Sequence, residues 1–372
     1  MEASSLPNDH DRTPLAEKLA ARIAAGGAIS VHDYTEACLY DPEHGYYRKK
    51  NAIGRNGDFI TAPEISQVFG ELVGLWAGEV WRLMGDPAPI RLVELGPGRG
   101  TLMSDALRAL RVLPRFLESA AVHLIESSEP LQNAQKAALA SVSVPVFWHD
   151  DLNRVPDGPA IIIANEFFDC LPAQQFVFDA AAGGWRERMV TVQEGAFRFV
   201  LGASLTMPGG LPSPAQDEIE DGAICEQRPG AAGVVRAFAR PQCAALIIDY
   251  GYSRPSFGDT VQAVRHHRFT GLFDAPGRSD ITSHVDFFHL KQATADANLA
   301  AFGPMPMGEW LLRLGLEARV RQLLARASEE EANEIRSRVT RLVDPAQMGV
   351  LFKVLALTNG VLQPPPAFWT TA

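Results

Sequence analysis

Leu92-Val93-Glu94-Leu95-Gly96-Pro97-Gly98-Arg99-Gly100-Thr101 is the stretch on which the fold turns. Ile90–Leu95 reads as a strand, three glycines follow at every second position, and Thr101–Leu113 reads as a helix. Glycine permits the tight turn and lets a ligand approach the backbone closely. The helix start behind the turn offers free N–H groups and the positive end of its dipole. A nucleotide-like ligand is therefore expected at the carboxyl end of this strand. The G-x-G-x-G spacing differs from the dinucleotide fingerprint G-x-G-x-x-G, which disfavours an NAD dehydrogenase. Glu94, two positions before Gly96, suits a ligand with an ammonium group; S-adenosylmethionine has one and NAD has no equivalent.

Outward from this loop, strands and helices alternate. Val122–Glu126, Val144–Trp148 and Ala160–Asn165 read as strands, with a helix over Glu129–Ala140. That pattern predicts an α/β fold, a Rossmann-like doubly wound parallel sheet covered on both faces. Glu126 ends the second strand, where an acid can accept both ribose hydroxyls. Asp150 and Asp151 follow the third strand, within reach of an adenine amino group. Upstream, Pro14–Ala25 reads as a helix and residues 28–60 as loop-rich. Thr61-Ala62-Pro63-Glu64 fits a capping box opening a helix whose apolar residues recur to Met84. Residues 174–240 are β-rich with a Pro/Gly/acid loop over 207–222 and read as an insertion. Cys243–Tyr250 resumes the α/β pattern, helices fill 307–343 with a cap at Ser328, and Val350–Leu357 reads as a last strand. The expected organisation is an N-terminal helical cap and lid (1–86), a core (87–173 and 241–372), and an insertion (174–240) for substrate or partner.

The chain has 372 residues, and 34 Lys+Arg against 44 Asp+Glu give a net charge of −10. No broad basic face for nucleic acid is expected. Four scattered cysteines form no CxxC pair, so neither a zinc knuckle nor a disulfide framework is expected, and the compartment reads as reducing. No apolar run reaches the roughly 18 residues of a membrane span. Met1–Lys18 is too acidic for a mitochondrial presequence and lacks a secretory apolar core, so a bacterial cytoplasmic protein is expected. A homo-oligomer is compatible with this composition.

Several stretches together resemble one family. They are residues 57–66 (GDFITAPEIS), the Glu94–Gly100 loop, residues 165–172 (NEFFDCLP), Asp249-Tyr250-Gly251, and residues 279–287 (SDITSHVDF). The chain is similar to the MidA family of class I S-adenosylmethionine-dependent methyltransferases, whose mitochondrial members are complex I assembly factors acting as protein arginine methyltransferases. The resemblance implies a seven-stranded sheet with the last strand inserted antiparallel. It also implies S-adenosylmethionine as cofactor, a protein substrate such as a complex I subunit, and a mitochondrial matrix location in a eukaryote. Asp58 and Thr61 would lie near the methionine end, under a lid.

Methyl transfer from a sulfonium is an in-line displacement, so placing the acceptor decides the rate. A guanidinium acceptor needs carboxylates that clamp its planar fork. Glu166 and Asp169, past the fourth strand, are the candidate clamps, with Asp249 a third. The cofactor side is expected to comprise Asp58, Thr61, Glu94, Gly96, Gly98, Gly100, Glu126, Asp150, Asp151 and Asn165. Phe168, Tyr250 and His284 are the candidate substrate-side residues. Asp280, His284 and Asp286, or His266-His267, form no complete metal set, so no metal is expected. A methyltransferase acting on a small molecule or another side chain remains open, as does a cofactor-binding assembly factor without turnover, because fold does not fix substrate.

Overall fold

Seven strands carry the core of the computed structural model, which describes residues 13–48, 61–205, 219–361 and 363–369. They are β1 (Ile90–Leu95), β2 (Ala120–Ile125), β3 (Val146–His149), β4 (Ala160–Asn165), β5 (Cys243–Tyr252), β6 (Ala300–Pro306) and β7 (Phe352–Asn359). Every residue of β4 is buried, as the unbroken apolar run requires of a strand covered on both faces. The order is β3-β2-β1-β4-β5-β7-β6. The strands from β3 to β5 pair in parallel, and β7 runs antiparallel between β5 and β6. This is the doubly wound seven-stranded sheet, with the last strand inserted as expected.

The order reverses between β1 and β4, and ligands bind at such a switch point. Registers Leu95↔Ile125 and Leu95↔Ala164 bring Gly96, Glu126 and Asn165 level at the same edge. On one face, helix Gln67–Leu83 buries Val68, Leu72, Val73, Trp76 and Val80 against the sheet. On the other, helices Pro229–Ala237 and Phe287–Asp296 contribute Val235, Phe287 and Leu290. So the end of the 174–240 segment packs on the central sheet.

The rest of that segment forms an antiparallel sheet of Gln174–Asp179, Gly184–Gln193, Ala196–Leu205 and Ile224–Gln227. Ile29–Ser30 joins it by pairing with Gly184–Gln193. Helices Pro14–Gly26 and Val31–Tyr40 share a core with it through Leu19, Ile23, Tyr34, Leu39 and Val190. A hairpin, Gln262–Arg265 and Arg268–Thr270, pairs with Asp280–Thr282 and adds Ala263 and Ile281 to that core.

Three expectations need correction. The helix from Thr61 breaks at Ser66 into Ala62–Ile65 and Gln67–Leu83, with the Ser66 hydroxyl accepting from the Val68 amide at 3.3 Å. The capping box at Thr61 does not form: Thr61 makes no side-chain cap, and the Glu64 carboxylate accepts from the Thr101 hydroxyl instead. At Ser328 and Glu331 the same motif forms its reciprocal box. Within 28–60, Ser30 caps a helix over Val31–Tyr40, while 49–60 lie outside the described residues. Among the described residues no helix is long and apolar enough to cross a membrane.

Candidate active site

Past Leu95 the chain turns through Gly96, Gly98 and Gly100 at φ +59°, +53° and +83°, a region that side chains avoid. A Cβ on Gly96 would stand 3.2 Å from the Phe167 ring, and one on Gly100 3.3 Å from the Gln135 backbone. The Gln135 side chain donates to the Gly98 carbonyl at 2.8 Å and fixes the loop from below. Gly100 opens helix Thr101–Ala109. Thr61, Glu94, Gly96, Gly98, Asn165 and Glu166 line one cleft above this turn.

Three polar atoms in the cleft are buried and, among the described residues, without a partner: Glu94 Oε2, Asn165 Oδ1 and Glu166 Oε2. Such atoms cost free energy unless something completes them. Burial pushes the Glu94 carboxyl up to about 8. An ammonium beside Oε2 would complete it, so the donor set fits the amino-acid end of S-adenosylmethionine. At the tip of β2, Glu126 accepts from the Ser128 amide at 2.7 Å and from Gln135 Nε2 at 3.2 Å, and burial raises it to about 7. Its oxygens are oriented by these bonds, as a ribose diol requires.

At the tip of β3, Asp150 is exposed and pairs with Arg154 Nε at 2.8 Å. Asp151 accepts from the Asn153 amide at 2.7 Å and caps the turn Leu152–Arg154. Both are engaged with their own loop, and neither lines the cleft. Asp58 lies outside the described residues.

Beyond β4, Glu166 takes a left-handed φ of +50°, strained for a side chain of its kind. Its Oε1 accepts from the Ala62 amide at 2.8 Å and from Asn165 Nδ2 at 3.3 Å. Burial, with Asp169 and Asp280 close by, raises its carboxyl to about 8. Burial also raises Asp169, against the pull of the Tyr250 hydroxyl, Cys170 and Arg228. Cys170 Sγ donates to Asp169 Oδ1 at 3.2 Å. Asp280 completes this acid cluster. The Tyr47 hydroxyl lies 3.2 Å from Asp280 Oδ1 and 2.9 Å from Cys170 Sγ. Sequence reasoning had weighed Asp280 only as a metal ligand; its strand pairing with the 262–270 hairpin brings it here.

Asp249, the third candidate clamp, braces the turn after β4. It is fully buried, its Oδ2 accepts from the Phe168 and Asp169 amides at 3.0 and 3.1 Å, and its Oδ1 from the Tyr250 amide at 3.0 Å. Phe168, expected on the substrate side, is fully buried in the core, and Phe167 is the ring against Gly96. Tyr250 is buried with His284 edge-on at 5.5 Å. The His284 amide donates to the Thr260 hydroxyl at 2.9 Å. Asp286 caps helix Phe287–Asp296 and contacts His289 Nδ1 at 2.5 Å, so its oxygens are spent locally.

Over residues 72–305 the chain matches the family model described as "Putative S-adenosyl-L-methionine-dependent methyltransferase". It is 38% identical to the Drosophila melanogaster "Protein arginine methyltransferase NDUFAF7 homolog, mitochondrial", over 94% of this chain and 85% of that protein. It is 33% identical to the Homo sapiens "Protein arginine methyltransferase NDUFAF7, mitochondrial", over the same shares of 94% and 85%. A solved Burkholderia thailandensis protein bound to S-adenosyl-homocysteine is 28% identical, with a TM-score of 0.80 and 98% of each chain covered.

Proposed function

This chain belongs to the S-adenosylmethionine-dependent methyltransferase family, and from that premise we propose that it transfers the methyl group to an arginine guanidinium of a protein. The bound donor supplies an electrophilic methyl on a sulfonium, which leaves as a neutral thioether. Glu94 would hold the ammonium, Glu126 the ribose, and the Gly96–Gly100 turn the close approach of the nucleoside. Asp58, Thr61, Asp150 and Asp151 remain the proposed rim contacts.

The observation that carries the acceptor assignment is Glu166. Its Oε1 is held by the Ala62 amide and Asn165, while Oε2 is buried without a partner among the described residues. Asp169 and Asp280 lie close enough to raise it further, so its surroundings are acidic. A planar, permanently charged guanidinium would complete Oε2 and suit those surroundings. Methylating a guanidinium nitrogen releases one proton, because the product keeps a single positive charge. Glu166, held against the reacting guanidinium, is the carboxylate placed to take it.

The curated relatives are named as mitochondrial proteins, and a complex I subunit in the matrix, or its bacterial counterpart in the cytoplasm, is the proposed substrate. The sheet of residues 174–205 and its N-terminal helices form the proposed partner-facing unit. Incubation with radiolabelled donor and a lysate, followed by mass spectrometry of the label, tests the assignment. Labelled arginine is expected, and Glu166→Gln should lose turnover while binding S-adenosylhomocysteine within about threefold of wild type. Label confined to lysine, a carboxylate or a small molecule would sink it.

A further inference from the structure

We propose that the hairpin Gln262–Thr270 is a docking arm for an acidic segment of the protein substrate, flanking the arginine to be methylated. This rests on the arginine reading above and deepens it. The strands close through His266 and His267 at φ +52° and +60°, two left-handed residues in a two-residue turn. Asn-Gly is the relaxed choice for such a turn, and histidine at both positions is strained. The strain keeps a tip whose sequence is Arg265-His266-His267-Arg268-Phe269.

That tip differs from the rest of the molecule. The chain carries a net charge of −10, yet Arg265 and Arg268 have no ion-pair partner among the described residues. Arg278, two residues before Asp280, is a further exposed cation. The acid nearest in sequence, Asp274, is taken up by the Thr270 hydroxyl and the Gly271 amide, both at 2.8 Å. Phe269 is 77% exposed, the most exposed of the large apolar residues. An apolar side chain amid unpaired guanidiniums fits a partner that is acidic with an apolar residue between the acids.

Its position ties it to the reaction. Val264 pairs with Asp280, the acid that acts on Glu166 and, together with Asp169, on Cys170. The tip therefore projects roughly 7–10 Å past Asp280 at about 3.3 Å per residue. That is two or three residues of an extended substrate chain. A protein partner is favoured over nucleic acid, because a polyanion spanning many phosphates would meet the acidic remainder of the surface.

The test uses the full-length protein and fluorescein-labelled 15-residue peptides with one central arginine. Flanks are Asp/Glu with one Phe, Ser/Gly, or Asp/Glu with the arginine replaced by alanine. Anisotropy should show the acidic peptides binding at least about tenfold tighter than the Ser/Gly peptide, with or without the arginine. The preference should vanish in 0.5 M NaCl, where screening is nearly complete. Arg265→Glu with Arg268→Glu should abolish it while leaving kcat/KM on the Ser/Gly peptide unchanged; Arg265→Gln with Arg268→Gln serves if the reversal fails to fold. No preference in wild type, a preference that survives the variants, or tighter binding of polyuridylate or phosphatidylserine vesicles through the same arginines overturns the proposal. If no arginine peptide is methylated while the binding preference stands, the arginine reading fails and the docking arm does not.

Discussion

Glu94→Gln separates a cofactor-binding acid from a merely buried one. In the wild type, burial holds the carboxyl at about 8, so at pH 7 roughly one site in ten is ionised. If an ammonium pairs with Oε2, S-adenosylhomocysteine binds the ionised form, and each pH unit below 8 costs about tenfold in affinity. Glutamine keeps the shape but loses a charge-assisted hydrogen bond of about 1.5–3 kcal/mol, or roughly 10–150-fold. Above pH 8 the variant should bind weaker by that factor. At pH 6 the wild type has itself lost about a hundredfold, so the gap should nearly close. Any slope left in the variant between pH 6 and 7 belongs to Glu126, raised to about 7. Stability gives an independent reading. Glu94 has a folded value above its unfolded one, so its protonated form stabilises the fold fully below about 4.5 and progressively less as pH rises through 8. The variant lacks that loss, so its Tm should gain on the wild type from about pH 4.5 up to 8 and hold level above. Calorimetric titration with S-adenosylhomocysteine at pH 6, 7 and 8, with melting curves at each, measures both. A gap in affinity that stays constant across this range would refute the pairing.

Gly98→Val puts a β-branched residue at φ +53° in the loop and should abolish S-adenosylhomocysteine binding while the far-UV spectrum stays near wild type; normal affinity by calorimetry would remove the loop from the site. Asp249→Ala leaves the Phe168 and Asp169 amides without their acceptor and should lower the unfolding free energy by about 2–6 kcal/mol, at roughly 1–3 kcal/mol per buried donor. Turnover should fall at least tenfold in that variant with cofactor affinity within about threefold, and unchanged kcat would show that the loop does not depend on this brace.

The glycine loop and its strands were legible because their requirements are local. A strand buried on both faces shows as an apolar run, and a turn at positive φ shows as glycine. The failures share a cause. Helical periodicity runs across Ser66 without a break, and only packing of Glu64 against Thr101 decides that Thr61 caps nothing. Phe167 and Phe168 are alike in sequence, yet one meets Gly96 and the other is fully buried in the core, a difference set by the bend that starts at Glu166 and not by any local pattern. Asp249 resembled a strand-tip acid, but the 165–169 turn folds over it and takes its oxygens. Asp280 joins Glu166 from over a hundred residues away, through a hairpin whose pairing no local signal announced.

The site is rich in buried acids. Glu94, Glu126, Glu166, Asp169 and Asp249 are all raised by burial, while Tyr250, Cys170 and Arg228 pull Asp169 back down and Ser128, Gln135 and Arg48 do the same for Glu126. Burial penalises the ionised form of each unless a partner offsets it. On the proposed reading an ammonium at Glu94 and a guanidinium at Glu166 would be those partners. Binding would then exchange proton for ligand cation at each position, and the oxygens are already aimed, Glu126 by Ser128 and Gln135, Glu166 by Ala62 and Asn165. Neutral analogues of the same shape would gain nothing from that exchange. Selectivity for cationic ligands would thus follow from burial itself, with Asp249, whose oxygens accept from backbone amides, bracing the turn that carries the acids.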